Sequence, residues 1–167
     1  TLQAPSSTPQ AIVTDVTYNA AGQLTKIVYG NGVVSDYSYN PQTLRLSQLI
    51  TRNSQLATLQ DFSYAFDAVG NVSAITDRVH TATQTFQYDP LNRLKQATGS
   101  YGTSSYGYDA IGNMTSKEGV AMTYGLPDGT KPHAVTATSD GWTLKYDANG
   151  SLIEKTPAAS SLLTQWL

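Results

Sequence analysis

The sequence contains no cysteine. That excludes disulfides, a thiol nucleophile and thiolate zinc ligation, and it leaves the cellular compartment open. Charge is scarce as well. Asp, Glu, Lys and Arg together make up 13% of the chain, against roughly 25% in an ordinary domain. The formal net charge is −2 and the basic residues stand singly, so no field attracts nucleic acid or an anionic membrane. No apolar run approaches the roughly 20 residues that a membrane-spanning helix needs. The opening TLQAPSSTPQ lacks the basic start and apolar stretch of a signal peptide. It reads as a linker or as a cut through a longer chain. A helical apolar period with caps is missing throughout. The nearest approach, LSQLITRNSQLATLQ (46–60), reads better as two strands around Arg52-Asn53-Ser54. Neither a nucleophile elbow of the type G-x-S-x-G nor a glycine-rich phosphate loop followed by a helix occurs.

What remains is distinctive. Of 167 residues, 11 are Tyr, against 3 Phe and 2 Trp, and the hydrophobic fraction is 40%. This composition suits a weakly charged, turn-rich β protein of one domain's length and is too apolar for disorder.

One short string recurs: YNAAGQL (18–24), YNPQTL (39–44), FDAVGNV (66–72), YDPLNRL (88–94), YDAIGNM (108–114) and YDANGSL (146–152). The order is aromatic, Asp or Asn, two variable residues, Gly or Asn, a polar residue, an aliphatic. The copy at 39–44 reads as a shortened one. The leading aromatics Tyr18, Tyr39, Phe66, Tyr88, Tyr108 and Tyr146 stand about 20 residues apart, with a double gap before the last. MTYGLPDGTKPHAV (122–135) fills that gap as a degenerate copy. A period near 20 fits one small supersecondary unit.

Each copy has the physics of a hairpin corner. Aromatics alternate before it, as in Tyr37 and Tyr39 or Tyr106 and Tyr108, which places both rings on one face of a strand. Asp67, Asp89, Asp109 and Asp147 can accept hydrogen bonds from backbone N–H groups just ahead. Gly22, Gly70, Gly112 and Gly150 can take a left-handed conformation without a Cβ clash, and Asn92 tolerates that region better than most residues. Asn31-Gly32, 98–102, 126–130 and 139–142 supply the connections between copies.

The repeated acids raise the question of calcium. Each corner offers one carboxylate, whereas calcium takes six or more oxygens from clustered ligands, so the acids read as turn caps and no metal or cofactor site is assigned. Asn71, Asn113 and Asn149 fall in glycosylation sequons that are also corner residues. His80 and His133 lie far apart on loops with no shaped nucleophile, which assigns no catalytic residue. The tyrosines at strand ends read as packing. Tyr101, Tyr124, Trp142 and Trp166 fall outside that rule and are the candidates for ligand contact.

These strings resemble the YD repeat of the RHS-repeat superfamily, which includes bacterial polymorphic toxins, the shell subunits of insecticidal Tc toxins, and the teneurins. The unit KPHAVTAT…YDANGSL (131–152) resembles one that precedes the conserved core of such proteins. The resemblance implies a curved, spiralling antiparallel sheet of tandem hairpins over residues 12–155, forming part of a β-shell, between a linker at 1–11 and a linker or truncated strand at 156–167. It implies a non-catalytic module of a longer, exported or surface-displayed bacterial chain. Its partners would be the remainder of the shell, an enclosed C-terminal toxin domain or, through exposed aromatics, carbohydrate. The family's self-cleaving Asp-Pro core has no counterpart here, since Asp89-Pro90 belongs to a corner.

Overall fold

A computed structural model of the chain describes residues 11–126 and 129–157. Fourteen strands make up its regular structure: β1 (Val13–Tyr18), β2 (Leu24–Tyr29), β3 (Val34–Tyr39), β4 (Leu46–Arg52), β5 (Thr58–Phe66), β6 (Val72–Asp77), β7 (Ala82–Tyr88), β8 (Leu94–Gly99), β9 (Gly102–Tyr108), β10 (Met114–Lys117), β11 (Val120–Tyr124), β12 (Val135–Thr138), β13 (Trp142–Tyr146) and β14 (Leu152–Pro157). The fold is all-β, and strand order in the antiparallel sheet is chain order. The chain forms two compact units, residues 1–86 with 99–101 and residues 87–98 with 102–167.

In the first unit the register separates two faces. Tyr37 stands opposite Leu49, Leu49 opposite Phe62, and Tyr64 opposite Ile75. Directly opposed residues share a face, so rings and aliphatics gather on one side. The other side holds Lys26 opposite Asp36, Ser63 opposite Thr76 and Thr76 opposite Thr83. The second unit repeats the division. Tyr106 faces Lys117, Met122 faces Thr138 and Leu144 faces Lys155 on one side. Ala137 faces Thr143 on the other.

Neither unit encloses a core. Among the described residues Ala97 is the one buried hydrophobic, at 5% exposure, and no large side chain is fully buried. The polar residues that are buried have partners: the hydroxyls of Ser35 and Thr51 lie 3.0 Å apart, and Ser104 donates to Glu118 at 2.7 Å. The ring-bearing face of each unit therefore stays half-covered. Strand-to-strand hydrogen bonds and lateral side-chain packing carry the fold, in the way a repeat gains stability from its neighbours.

Two features differ from the sequence reading, and the reversal expected around Arg52-Asn53-Ser54 proves to be of the repeat's own type. The copy at residue 39 is longer than the others, not shorter. Asn40 N–H bonds the Arg45 carbonyl at 2.8 Å, and Tyr39 pairs with Leu46. One residue is inserted, so Leu44 occupies the left-handed position at φ 58° and Leu46 takes the closing aliphatic place. A further corner of the same type joins β4 and β5 at Asn53–Ala57. Asn53 Oδ1 accepts the N–H groups of Gln55 and Ala57 at 3.0 and 2.9 Å, and Leu56 has φ 63°. Between β10 and β11, Glu118 and Gly119 form a two-residue turn with both φ positive, at 53° and 83°, the geometry that matches strand twist in a tight hairpin.

Candidate functional site: the stacked corners

Each corner follows one plan, clearest at Asp67. Its own N–H bonds the Asn71 carbonyl at 2.9 Å, and Gly70 N–H bonds the Asp67 carbonyl at 3.2 Å. Oδ1 of Asp67 accepts the N–H groups of Val69, Gly70 and Asn71 at 3.1, 2.7 and 2.8 Å, and Oδ2 accepts Asn71 Nδ2 at 3.0 Å. Asp109 repeats this with the N–H groups of Ile111 and Asn113 at 3.0 and 2.8 Å and with Asn113 Nδ2 at 2.9 Å. Asp89 takes Leu91 and Arg93 N–H at 2.9 and 3.0 Å, with Arg93 Nε on Oδ2 at 2.7 Å. Asp147 takes Ser151 N–H at 2.9 Å. Asn19, in the copy that begins at Tyr18, does the same with Ala21 and Gln23. The fifth residue is left-handed at each place: Gly22, Gly70, Asn92, Gly112 and Gly150 have φ of 75°, 106°, 61°, 93° and 88°.

Asp and Asn serve alike because the task is to accept backbone N–H bonds. These bonds also lower the carboxyl pKa of Asp67, Asp89 and Asp109. At Asp67 and Asp109 partial burial pushes the carboxyl up and is the largest single influence. The combined hydrogen bonds outweigh it and hold both below the ordinary range. At Asp89 the Arg93 backbone bond leads and the result is also lowered. At Asp77, whose Oδ2 lies 2.7 Å from His80 Nδ1, the His80 side-chain bond leads the lowering.

Two ladders tie successive copies together. In the first, the leading tyrosine donates its hydroxyl to the carbonyl of the aliphatic that closes the previous copy. Tyr39 reaches Leu24 at 2.8 Å, Tyr108 reaches Leu94 at 3.0 Å, Tyr124 reaches Met114 at 2.9 Å and Tyr146 reaches Val135 at 2.9 Å. Phe66, with no hydroxyl, instead receives the Arg45 guanidinium 5.5 Å from its ring centroid. In the second ladder the sixth residue reaches the next corner. Gln23 Nε2 donates to the Leu44 carbonyl at 2.6 Å, Arg93 Nη1 to that of Asp109 at 3.1 Å, and Asn113 Nδ2 to that of Pro132 at 2.9 Å. Arg93 also lies 4.6 Å over the Tyr108 ring. Lys131 Nζ extends the series to the Asp147 carbonyl. His133 Nδ1 sits 2.7 Å from Asn113 Oδ1, inside the same network.

The four candidates for ligand contact are placed differently. Tyr124 is the leading tyrosine of the degenerate copy. Its hydroxyl is committed to the first ladder, and burial followed by the nearby Asp109 pushes its pKa up. Trp142 lines a groove of about 390 Å³ with Val120, Met122 and Leu144, and Lys155 Nζ lies 4.3 Å from its ring centroid. Tyr101 is 56% exposed, with its ring against Gly99. Trp166 lies outside the described residues. Among those residues no three of His, Asp and Glu gather as metal ligands, and no helix is long and apolar enough to cross a membrane.

The RHS Repeat family profile matches residues 18–55 and 66–104. Two toxin subunits of Yersinia entomophaga, YenC1 and YenC2, are each 36% identical to the chain over 105 residues, covering 54% of it and 11% of their own length. The crystal structure of TcdB2-TccC3 superposes on 93% of the chain with a TM-score of 0.68 at 24% identity. The Photorhabdus luminescens Tc holotoxin pore does so with 0.66 at 25%. The chain spans about a tenth of the length of these proteins. The repeated corners, the matched repeats and the shared fold agree: the chain carries RHS repeats and is similar to the RHS/YD-repeat superfamily.

Proposed function

We propose that the chain is a non-catalytic wall segment of an RHS/YD-repeat shell in an exported bacterial toxin subunit, where the shell encloses or displays a toxin domain. One observation carries this reading: both units present a half-covered face of rings and aliphatics beside a fully hydrogen-bonded line of corners. Such a strip is incomplete as a free globule and suited to be a wall, with lateral strength supplied by the ladders and cover supplied by what lies against the apolar face. The matched toxin subunits support the class of parent protein. Secretion or surface display follows from that class.

The test uses the parent chain that contains this segment. Limited proteolysis should leave its C-terminal domain intact, and deletion of residues 12–155 should expose that domain to rapid cleavage. Equal cleavage with and without the segment would reject enclosure. Carbohydrate binding through exposed aromatics has less support, because the Tyr124 hydroxyl and one face of the Trp142 ring are already occupied within the chain.

A further inference from the structure

Two arginines hold the same place in two copies and are partnered differently. Arg45 follows the left-handed Leu44 as Arg93 follows the left-handed Asn92. Each guanidinium lies over the leading ring of the next copy, 5.5 Å from the centroid of Phe66 and 4.6 Å from that of Tyr108. Arg93 is satisfied. Its Nε and Nη2 both reach Asp89 Oδ2 at 2.7 Å, and its Nη1 donates to the Asp109 carbonyl at 3.1 Å. Arg45 has no such acid in its own corner, because Asn40 is the cap there. Among the described residues its guanidinium makes no hydrogen bond and no ion pair.

The surroundings still shape a seat for it. Asn40, Thr43, Arg45, Tyr64, Phe66 and Asp67 line a cleft of about 240 Å³. A Cβ at Gly70 would lie 2.1 Å from Arg45 Nη2, whereas at Gly22, Gly112 and Gly150 it would meet nothing within 4 Å. The bare glycine at 70 therefore gives the guanidinium its room. Asp67 does not pair with it: Oδ1 takes three backbone N–H groups and Oδ2 takes the Asn71 amide.

We propose that this cleft binds one carboxylate, held by the Arg45 guanidinium. Its paired N–H groups match the two oxygens of a carboxylate, and the equivalent Arg93 already takes a carboxylate of this chain. Charge selects a monoanion. One guanidinium neutralises one charge, and the Asp67 carboxylate beside it repels the second charge of a phosphate dianion. The Asn40 and Asp67 caps stay on their backbone N–H groups, and Arg45 alone holds the ligand. The carboxylate belongs to an acidic side chain of the parent polypeptide or to a free monocarboxylate, with the same chemistry at Arg45. The cleft lies wholly within the first unit, and the inference is independent of the shell reading.

Modification by phenylglyoxal, with each arginine read by peptide mass spectrometry, tests it. In the 167-residue chain, sodium acetate and the blocked peptide Gly-Glu-Gly should each protect Arg45, while the exposed Arg78 keeps its rate. A single charge-assisted pair corresponds to a dissociation constant on the order of 10 mM, so about 100 mM acetate should slow Arg45 about tenfold. Sodium chloride at equal ionic strength and the peptide Gly-Gln-Gly should not protect it. The parent chain separates the two sources. An acidic side chain of the parent makes Arg45 slow with nothing added, whereas a free carboxylate leaves it fast until acetate is supplied. An Arg45 rate in the 167-residue chain that ignores both acetate and Gly-Glu-Gly would overturn the proposal. Equal protection by chloride or by phosphate at matched ionic strength would overturn it as well.

Discussion

The hydroxyl of Tyr108 donates to the backbone carbonyl of Leu94, fourteen residues before it, at 3.0 Å and so links two successive corners. The same bond recurs from Tyr39, Tyr124 and Tyr146. It gives a physical reason for tyrosine at the head of the motif. A phenylalanine supplies the ring, but the carbonyl of the preceding copy then needs another donor.

Tyr108→Phe should therefore destabilise the chain by about 0.5–1.5 kcal/mol, one net hydrogen bond. Tyr101→Phe, outside the ladder, should be near neutral. Urea denaturation at constant slope measures both. Equal costs at the two positions would show that the hydroxyl clasp contributes nothing.

At the left-handed corner position the outcome depends on the residue already there. Gly112→Val should cost about 1–3 kcal/mol through backbone strain alone, since a Cβ there meets nothing within 4 Å. Gly70→Val adds a collision with the Arg45 guanidinium, whose Nη2 would lie 2.1 Å from the new Cβ, and should cost more. Val69→Ala, at 70% exposure, should cost least of the three. Leu44→Gly should do the reverse and stabilise by up to about 1 kcal/mol. It relieves a non-glycine residue at φ 58° whose strain exceeds the entropy that glycine adds to the unfolded chain. Thermal melts rank all four.

Acid should weaken the fold. Asp67, Asp77, Asp89 and Asp109 all have lowered carboxyl pKa values when folded. The unfolded chain then binds protons at a higher pH than the folded one, so stability rises with pH. Their contribution is complete above the ordinary carboxylate value of about 4 and is lost as pH falls through the lower folded values. Asp109→Asn should keep the corner, since Asn19, Asn40 and Asn53 already cap equivalent ones, and should flatten the acid limb of a stability-against-pH curve. An acid limb unchanged in all four Asp→Asn variants would refute the assignment.

The hairpin array was legible in the sequence because each corner carries its own chemistry. An Asp or Asn three residues before a Gly or Asn marks the reversal, and alternating aromatics mark the strand that enters it. The reversal at Asn53 is legible, but its likeness to the other corners is not, because Arg52 stands in the aromatic place and Leu56 in the left-handed one. The inserted residue at Leu44 was hidden for a related reason: a leucine there imitates the closing aliphatic one place early. Tyr124 reads as a surface residue in the sequence because Leu126 stands where its corner would carry the Asp or Asn cap. Its hydroxyl bond to Met114 depends on which strands become neighbours. The second ladder is of that kind throughout. Gln23, Arg93 and Asn113 share only polarity and the sixth place of the motif, and sheet order alone brings each beside the next corner.

The central claim is that the Asp and Asn corners hold backbone rather than a ligand. Melting the chain with added calcium and again with a chelator tests it most directly. The account predicts superimposable transitions and no saturable heat in a calcium titration. A rise in melting temperature with calcium that disappears in Asp109→Asn would contradict it.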